Sequence, residues 1–319
     1  MSMRPFQWLL SAGILCLSAC TQAAQKPTAL FDRAATLELV KTLSSDEMQG
    51  RLPGTAASIA AQDVIIARME AIGLKPISDS FRRPFTYGPI AGADTKPSLT
   101  GVNLIGILEG TGESDLTMVV TAHYDHVGVL DGEVYNGADD NASGVGGMLA
   151  IAEHFAANPP RHSVIFAALD VEESHGFAGA RDFIRRPPIA LEQIGFNLNL
   201  DMLSRGDNGQ LWASGTSHWL ALKPLVEEVA EAASIDLRMG YDQGGGRDDW
   251  TLLSDHAVFF QAGIPHLYLG VEDHADYHQP SDDFERIDQA WYLSAVETAI
   301  IIADAVNADL ARLNDMAED

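Results

Sequence analysis

Residues 116 to 125, Leu116-Thr117-Met118-Val119-Val120-Thr121-Ala122-His123-Tyr124-Asp125, decide the fold. An unbroken run of apolar and threonine residues stops abruptly at a histidine and an aspartate. A strand with no polar face is covered on both sides, which marks a parallel sheet sandwiched by helices. Similar runs recur at 102–108, 163–169, 196–200 and 264–269, with a shorter one at 210–213. Helical spacing separates them at 144–157, 178–184, 219–233 and 290–306. Upstream, a helix is expected over 34–46. A second, capped by Thr55 or Ser58, runs to residue 72, and Gly73 stands where a helix stops. Residues 75–100 hold several Pro and Gly and are expected to wrap the surface. The fold class is therefore α/β: a mostly parallel mixed central β-sheet with helices on both faces.

The 319 residues are 46% hydrophobic and 20% charged, enough for one large core, and residues 34–319 read as a single domain. Lys and Arg number 20 against 45 Asp and Glu, a formal charge of −25. No basic stripe exists for phosphates, which excludes nucleic acid, and electrostatic binding to anionic lipid is disfavoured as well. The start of the chain differs from the rest. Arg4 precedes an apolar run from Trp8 to Leu17 that is too short to span a bilayer, and Leu17-Ser18-Ala19-Cys20 follows. This resembles the lipobox of bacterial lipoproteins, in which the cysteine is acylated. Residues 1–20 would then be a lipoprotein signal and 21–33 a tether. The protein would be exported and lipid-anchored at Cys20, on the outer membrane facing the periplasm. Cys16 and Cys20 are the only cysteines, so the folded body has no disulfide and no thiolate ligand.

In open α/β sheets, ligands gather beyond the carboxyl ends of the strands. His123 and Asp125 follow the run 116–122, Glu172 and Glu173 follow 163–169, and Asp201 follows 196–200. Asp139-Asp140 precedes a small-residue helix, and His278 lies in Tyr277-His278-Gln279-Pro280-Ser281-Asp282. Taken singly, each has a plain explanation: Asp139 or Asp140 as a helix cap, Glu172 and Glu173 as solvated charge. Together, two histidines and several carboxylates at strand ends suit Zn²⁺ or a similar divalent ion. Either Asp139 or Asp140 can be drawn as a ligand from the residues alone. The extra carboxylate of the Glu pair is available as a general base.

These stretches, with Gly137-Ala138-Asp139-Asp140-Asn141-Ala142-Ser143-Gly144, Asn199-Leu200-Asp201-Met202 and Gly50-Arg51-Leu52-Pro53-Gly54-Thr55, resemble the M28 family of di-zinc metallopeptidases. The resemblance runs from about residue 35 to 308 and implies a zinc-exopeptidase-like α/β/α sandwich. It also implies two Zn²⁺, other divalent ions being possible. His123, Asp140 and Asp201 would hold one ion, and Asp140, Glu173 and His278 the other. The family ligand sits four residues before the Gly of the Ser-Gly pair, which selects Asp140, and a cis peptide is implied between Asp140 and Asn141. Asp125 would orient His123, and Glu172 would take a proton from the water between the metals. Tyr277 would stabilise the oxyanion.

The implied activity is an aminopeptidase acting on peptides with a free N-terminus. The alternatives are a single-zinc glutaminyl cyclase, a carboxypeptidase of the same family, or a non-catalytic relative. Cyclases usually carry a tryptophan where Tyr277 stands, and a carboxypeptidase would need clustered arginines, of which Arg247 alone lies near the motifs. His126 is expected at the rim at most, and His274 is close enough to compete with His278, but only His278 has the right neighbours. His266 reads as a packed strand residue, Asp255-His256 as structural, and Gly244-Gly245-Gly246 as no phosphate loop. Arg247, Asp248 and Trp250 are candidates for the substrate pocket.

Overall fold

The computed structural model describes residues 29–88, 99–112, 114–174, 176–244 and 248–315. The signal segment, most of the tether, Gly245, Gly246 and Arg247 lie outside the described residues. Strands are β1 (Lys75–Pro76), β2 (Arg82–Tyr87), β3 (Leu99–Leu108), β4 (Thr117–His123), β5 (Gly128–Leu130), β6 (Glu133–Tyr135), β7 (Ser163–Leu169), β8 (Ile194–Leu200), β9 (Gln210–Ser214), β10 (Asp236–Met239) and β11 (His266–Gly270). Helices are α1 (Arg33–Leu43), α2 (Ala56–Ile72), α3 (Gly144–Ala157), α4 (Ala178–Arg185), α5 (Lys223–Ala232), α6 (His256–Gln261) and α7 (Gln289–Asp315). None is long and apolar enough to cross a membrane among the described residues.

The main sheet runs β1-β3-β7-β4-β8-β11-β9-β10, with β2 also paired to β3. Its centre, β7-β4-β8-β11, is parallel, and β3 and β9 run antiparallel to it on either side. Side chains alternate across this centre. Met118, Val120, Ala122, Phe196, Leu198 and Leu200 meet the layer that contains α1, α3 and α7. Val119, Ile165, Ala167 and Leu169 meet the thinner layer of α4 and α6. From β4 the chain crosses through α3 to β7 on one side, then through α4 to β8 on the other. That reversal opens a crevice at the carboxyl ends of β4 and β8.

Helix ends follow their local chemistry. Thr55 caps α2 by accepting from the Ser58 N–H at 3.1 Å, and Gly73 ends the helix at φ 99°. Several expectations needed correction. Residues 82–87 do not merely wrap the surface: β2 pairs with β3 from Arg82–Leu104 to Tyr87–Leu99. Phe31, within the stretch read as tether, is already buried in the core. A 3₁₀ turn at Leu220–Leu222 precedes α5, and α7 continues to Asp315.

Candidate metal centre and active-site cleft

Five side chains from five segments converge at the crevice. His123 closes β4, Asp201 follows β8, and Glu173 lies just beyond β7. Asp140 precedes α3, and His278 comes from the loop after β11. His123 Nε2 stands 3.2 Å from Asp140 Oδ1 and 3.2 Å from Asp201 Oδ1. His278 Nε2 stands 3.1 Å from Asp140 Oδ2 and 3.0 Å from Glu173 Oε2. Asp140 therefore turns one oxygen toward each of two donor sets. Donor atoms of His123, Glu172 and Glu173 also lie within 4.8 Å of one another.

The neighbour of Asp140 is turned away. Asp139 Oδ1 accepts from the Ser204 N–H at 2.6 Å and the Ser204 hydroxyl at 2.7 Å, and its Oδ2 faces His274 Nε2 at 3.0 Å. Asp282 accepts from the backbone N–H groups of Asp139 and Asp140 at 3.0–3.1 Å, so the segment that carries His278 also anchors the Asp140 turn. The Asp140–Asn141 peptide is cis. Val171 (φ 65°), Met202 (φ 64°) and His278 (φ 53°) adopt left-handed backbone beside the converging residues. For a β-branched residue such as Val171 this conformation is strained, and strain of this kind concentrates at functional sites.

Asp125 does not hold His123 in the expected way. Its backbone carbonyl, not its carboxylate, lies at 3.1 Å from His123 Nδ1, while the carboxylate is 3.8 Å away. That carboxylate instead accepts from the backbone N–H groups of Glu172 and Glu173 at 3.0 and 3.4 Å. Asp125 thus fixes the turn that aims both glutamates.

Charge is concentrated in a buried volume, and titration reflects it. Burial raises the Glu172 carboxyl well above its usual range, helped by the charges of Asp201, Asp255 and Glu173. Burial works to lower the His123 imidazole, but Asp201, Glu172 and Asp140 outweigh it and hold it well above its ordinary value. Burial likewise opposes charge on His278, yet its bonds to Asp140 and Glu173 push it up to about 10. The carboxylates facing both imidazoles favour positive charge there. A divalent ion with oxygen and nitrogen ligands can supply that charge, so the donor set fits zinc.

Several contributors were given no such role by the sequence. Ser254 donates to Asp201 Oδ2 at 2.7 Å and receives from Asn199, in a buried chain that continues through Thr121 to Asn197. The Tyr268 hydroxyl donates to the Asp201 carbonyl at 3.1 Å. Fully buried Arg51 reaches four carbonyls, of Leu43, Tyr124, Asn136 and Gly137, at 2.6–2.9 Å. His126 is not at the rim but fully buried, 2.6 Å from Glu173.

The cleft above this floor is walled by Met202, Trp250, Leu253, Tyr268, Val271 and Tyr277, with Asp273 also lining it. Trp250 stacks on Tyr241 at 4.0 Å, and the His256 ring at 2.9 Å from its carbonyl pins the loop. Tyr277 stacks on His278 at 3.9 Å. Asp248 lines a separate recess with Trp212 and Tyr241, and His266 is a buried strand residue.

An open mixed sheet with a switch-point crevice of this form defines the α/β fold of zinc exopeptidases and glutaminyl cyclases. The chain superimposes on a glutaminyl cyclase from Porphyromonas gingivalis with TM-score 0.69 and 22% identity, covering 86% of this chain and 98% of that one. It superimposes on BSAP, a zinc aminopeptidase from Bacillus subtilis, with TM-score 0.69 and 17% identity, covering 86% and 95%. Residues 103–302 match the model of peptidase family M28, and the chain belongs to that family. It is 26% identical over 243 residues to the alkaline phosphatase isozyme conversion protein of Escherichia coli, covering 70% of this chain and 67% of that protein. It is 28% identical over 203 residues to aminopeptidase YwaD of Bacillus subtilis, covering 59% of this chain and 41% of the relative. The chain spans 22% of the vacuolar membrane protease of Candida dubliniensis that it matches.

Proposed function

We propose that this M28 peptidase is an aminopeptidase with two metal ions, releasing N-terminal residues from peptides. The observation that carries the reading is Asp140, whose two oxygens face separate histidine–carboxylate sets at 3.1 and 3.2 Å. His123 and Asp201 would complete one site, and Glu173 and His278 the other. Zinc at such a centre supplies Lewis acidity and makes water nucleophilic near neutral pH. Glu172, raised by burial, is suited to take the proton from the attacking water and return it to the departing amine. Tyr277 lines the same cleft, and its hydroxyl would donate to the oxyanion. The acidic floor favours a substrate that presents its free ammonium group, and the apolar wall receives the first side chain.

Hydrolysis of aminoacyl-nitroanilides, lost on chelation and restored with about two zinc ions per chain, is the expected result. Cleavage of N-blocked peptides would overturn the aminopeptidase reading. A single zinc with cyclisation of N-terminal glutamine would replace it with the cyclase. The lipobox-like segment supports a further reading: export, acylation at Cys20 and anchoring on the outer membrane, facing the periplasm. Cys20→Ala should then move the protein from the membrane to the soluble periplasmic fraction. An unchanged distribution would sink the anchor.

A further inference from the structure

Glu173 is gripped from both ends. Its Oε2 faces His278 Nε2 at 3.0 Å, and its Oε1 faces His126 Nδ1 at 2.6 Å. A carboxylate only accepts, so Nδ1 of His126 carries the hydrogen. The ring is completely buried, and its Nε2 has no partner among the described residues. Leaving a buried ring nitrogen unpaired is unfavourable, so packing alone does not account for a histidine here. Nor does a direct bond to Asp140, whose nearest oxygen is 3.9 Å away. Room for the ring depends on Gly137, where a Cβ would fall 2.6 Å from the imidazole.

We infer that His126 is a positioning residue for the metal centre. By donating to Oε1 it locks the Glu173 carboxylate, so that Oε2 alone is presented toward the ion shared with Asp140 and His278. The need is electrostatic and entropic together. Asp140 and Glu173 both crowd His278 Nε2, at 3.1 and 3.0 Å, and a free glutamate side chain beside a second carboxylate would swing away. The hydrogen bond to His126 stops that swing. The inference rests on the two-ion reading above.

The test is titration of the metal-free protein with Zn²⁺ against a competing chromophoric chelator, which reads affinity without turnover. Wild type should show two binding steps. His126→Ala should weaken one step by about 10–100-fold and leave the other nearly unchanged, the usual cost of losing a group that orients a ligand. His126→Asn, whose amide nitrogen can occupy the place of Nδ1, should restore the weakened step. His126→Leu fills the ring's volume without a donor and carries the test if the alanine variant does not fold. Two unaltered steps in the donor-less variants overturn the assignment. So does an asparagine variant as weak as alanine, because the ring would then act as a ligand. A wild type that takes up a single ion overturns the two-ion reading and this assignment with it.

Discussion

Replacing the Glu172 carboxylate by the amide of glutamine keeps its shape and removes its ability to accept a proton. For Glu172→Gln we expect kcat on aminoacyl-nitroanilides to fall by roughly 10²–10⁴-fold while zinc content is unchanged. Equal turnover would show that the proton travels elsewhere; lost zinc would show that Glu172 is a ligand. The neighbouring Glu173 meets both His126 and His278, so adjacent and chemically identical residues take different parts. Asp139 and Asp140 divide in the same way, and the sequence alone left that choice open. What separates them is Ser204 and His274, which occupy Asp139 from 65 and 135 residues away. Partners so remote leave no local pattern. His126 was misplaced for the same reason: its burial depends on Gly137 and Glu173, not on its neighbours in the chain.

Among the elements, those carried by uniform burial were legible. Runs such as 163–169 and 144–157 coincide with β7 and α3, because a segment buried on all sides advertises itself through continuous apolar composition. Strand β2, with Arg82, Arg83 and Pro84, exists through its pairing with β3, and the six-residue α6 is too short to establish a helical period. The turn containing Arg51 shows how a short element can bind larger ones. Arg51→Met would strip a charged donor from four buried carbonyls, and we expect about 3 kcal/mol or more of destabilisation in urea unfolding of the metal-free protein. A loss below about 1 kcal/mol, the range of ordinary substitutions, would refute the clasp. Gly50 makes a related point: at φ 62° its missing Cβ would sit 2.8 Å from Gly128 Cα.

For the molecule as a whole, two buried carboxyls contribute to the pH dependence of the metal-free state, alongside the raised His123 and His278. Burial pushes the carboxyl of Asp170 up to about 8, with Asp125 adding to the rise. Burial does the same to Asp255, also to about 8, with His123 opposing and Asp125 and Asp201 adding. Both carboxyls hold protons in the fold that the unfolded chain releases near pH ~4. Between those values the native state binds more protons, so the stability these two groups contribute falls as pH rises and is lost above about 8. The melting temperature of the metal-free protein should therefore decline from about pH 5 to about pH 8. Both Asp255 oxygens lack hydrogen-bond partners among the described residues, so Asp255→Asn should flatten that decline and raise the value at the alkaline end. An unaltered slope would remove Asp255 from the account.

The Arg51 clasp also bears on how little of the chain can work alone. It gathers carbonyls from segments as far as 86 residues downstream, and the Asp140 turn is anchored in addition by Asp282. A self-sufficient unit must start before Gly50 and continue beyond Asp282, whereas the stretch matched across the family opens at residue 103. In a series of progressive N-terminal truncations, hydrolysis should vanish once the cut passes Gly50, long before any of the proposed metal ligands is removed.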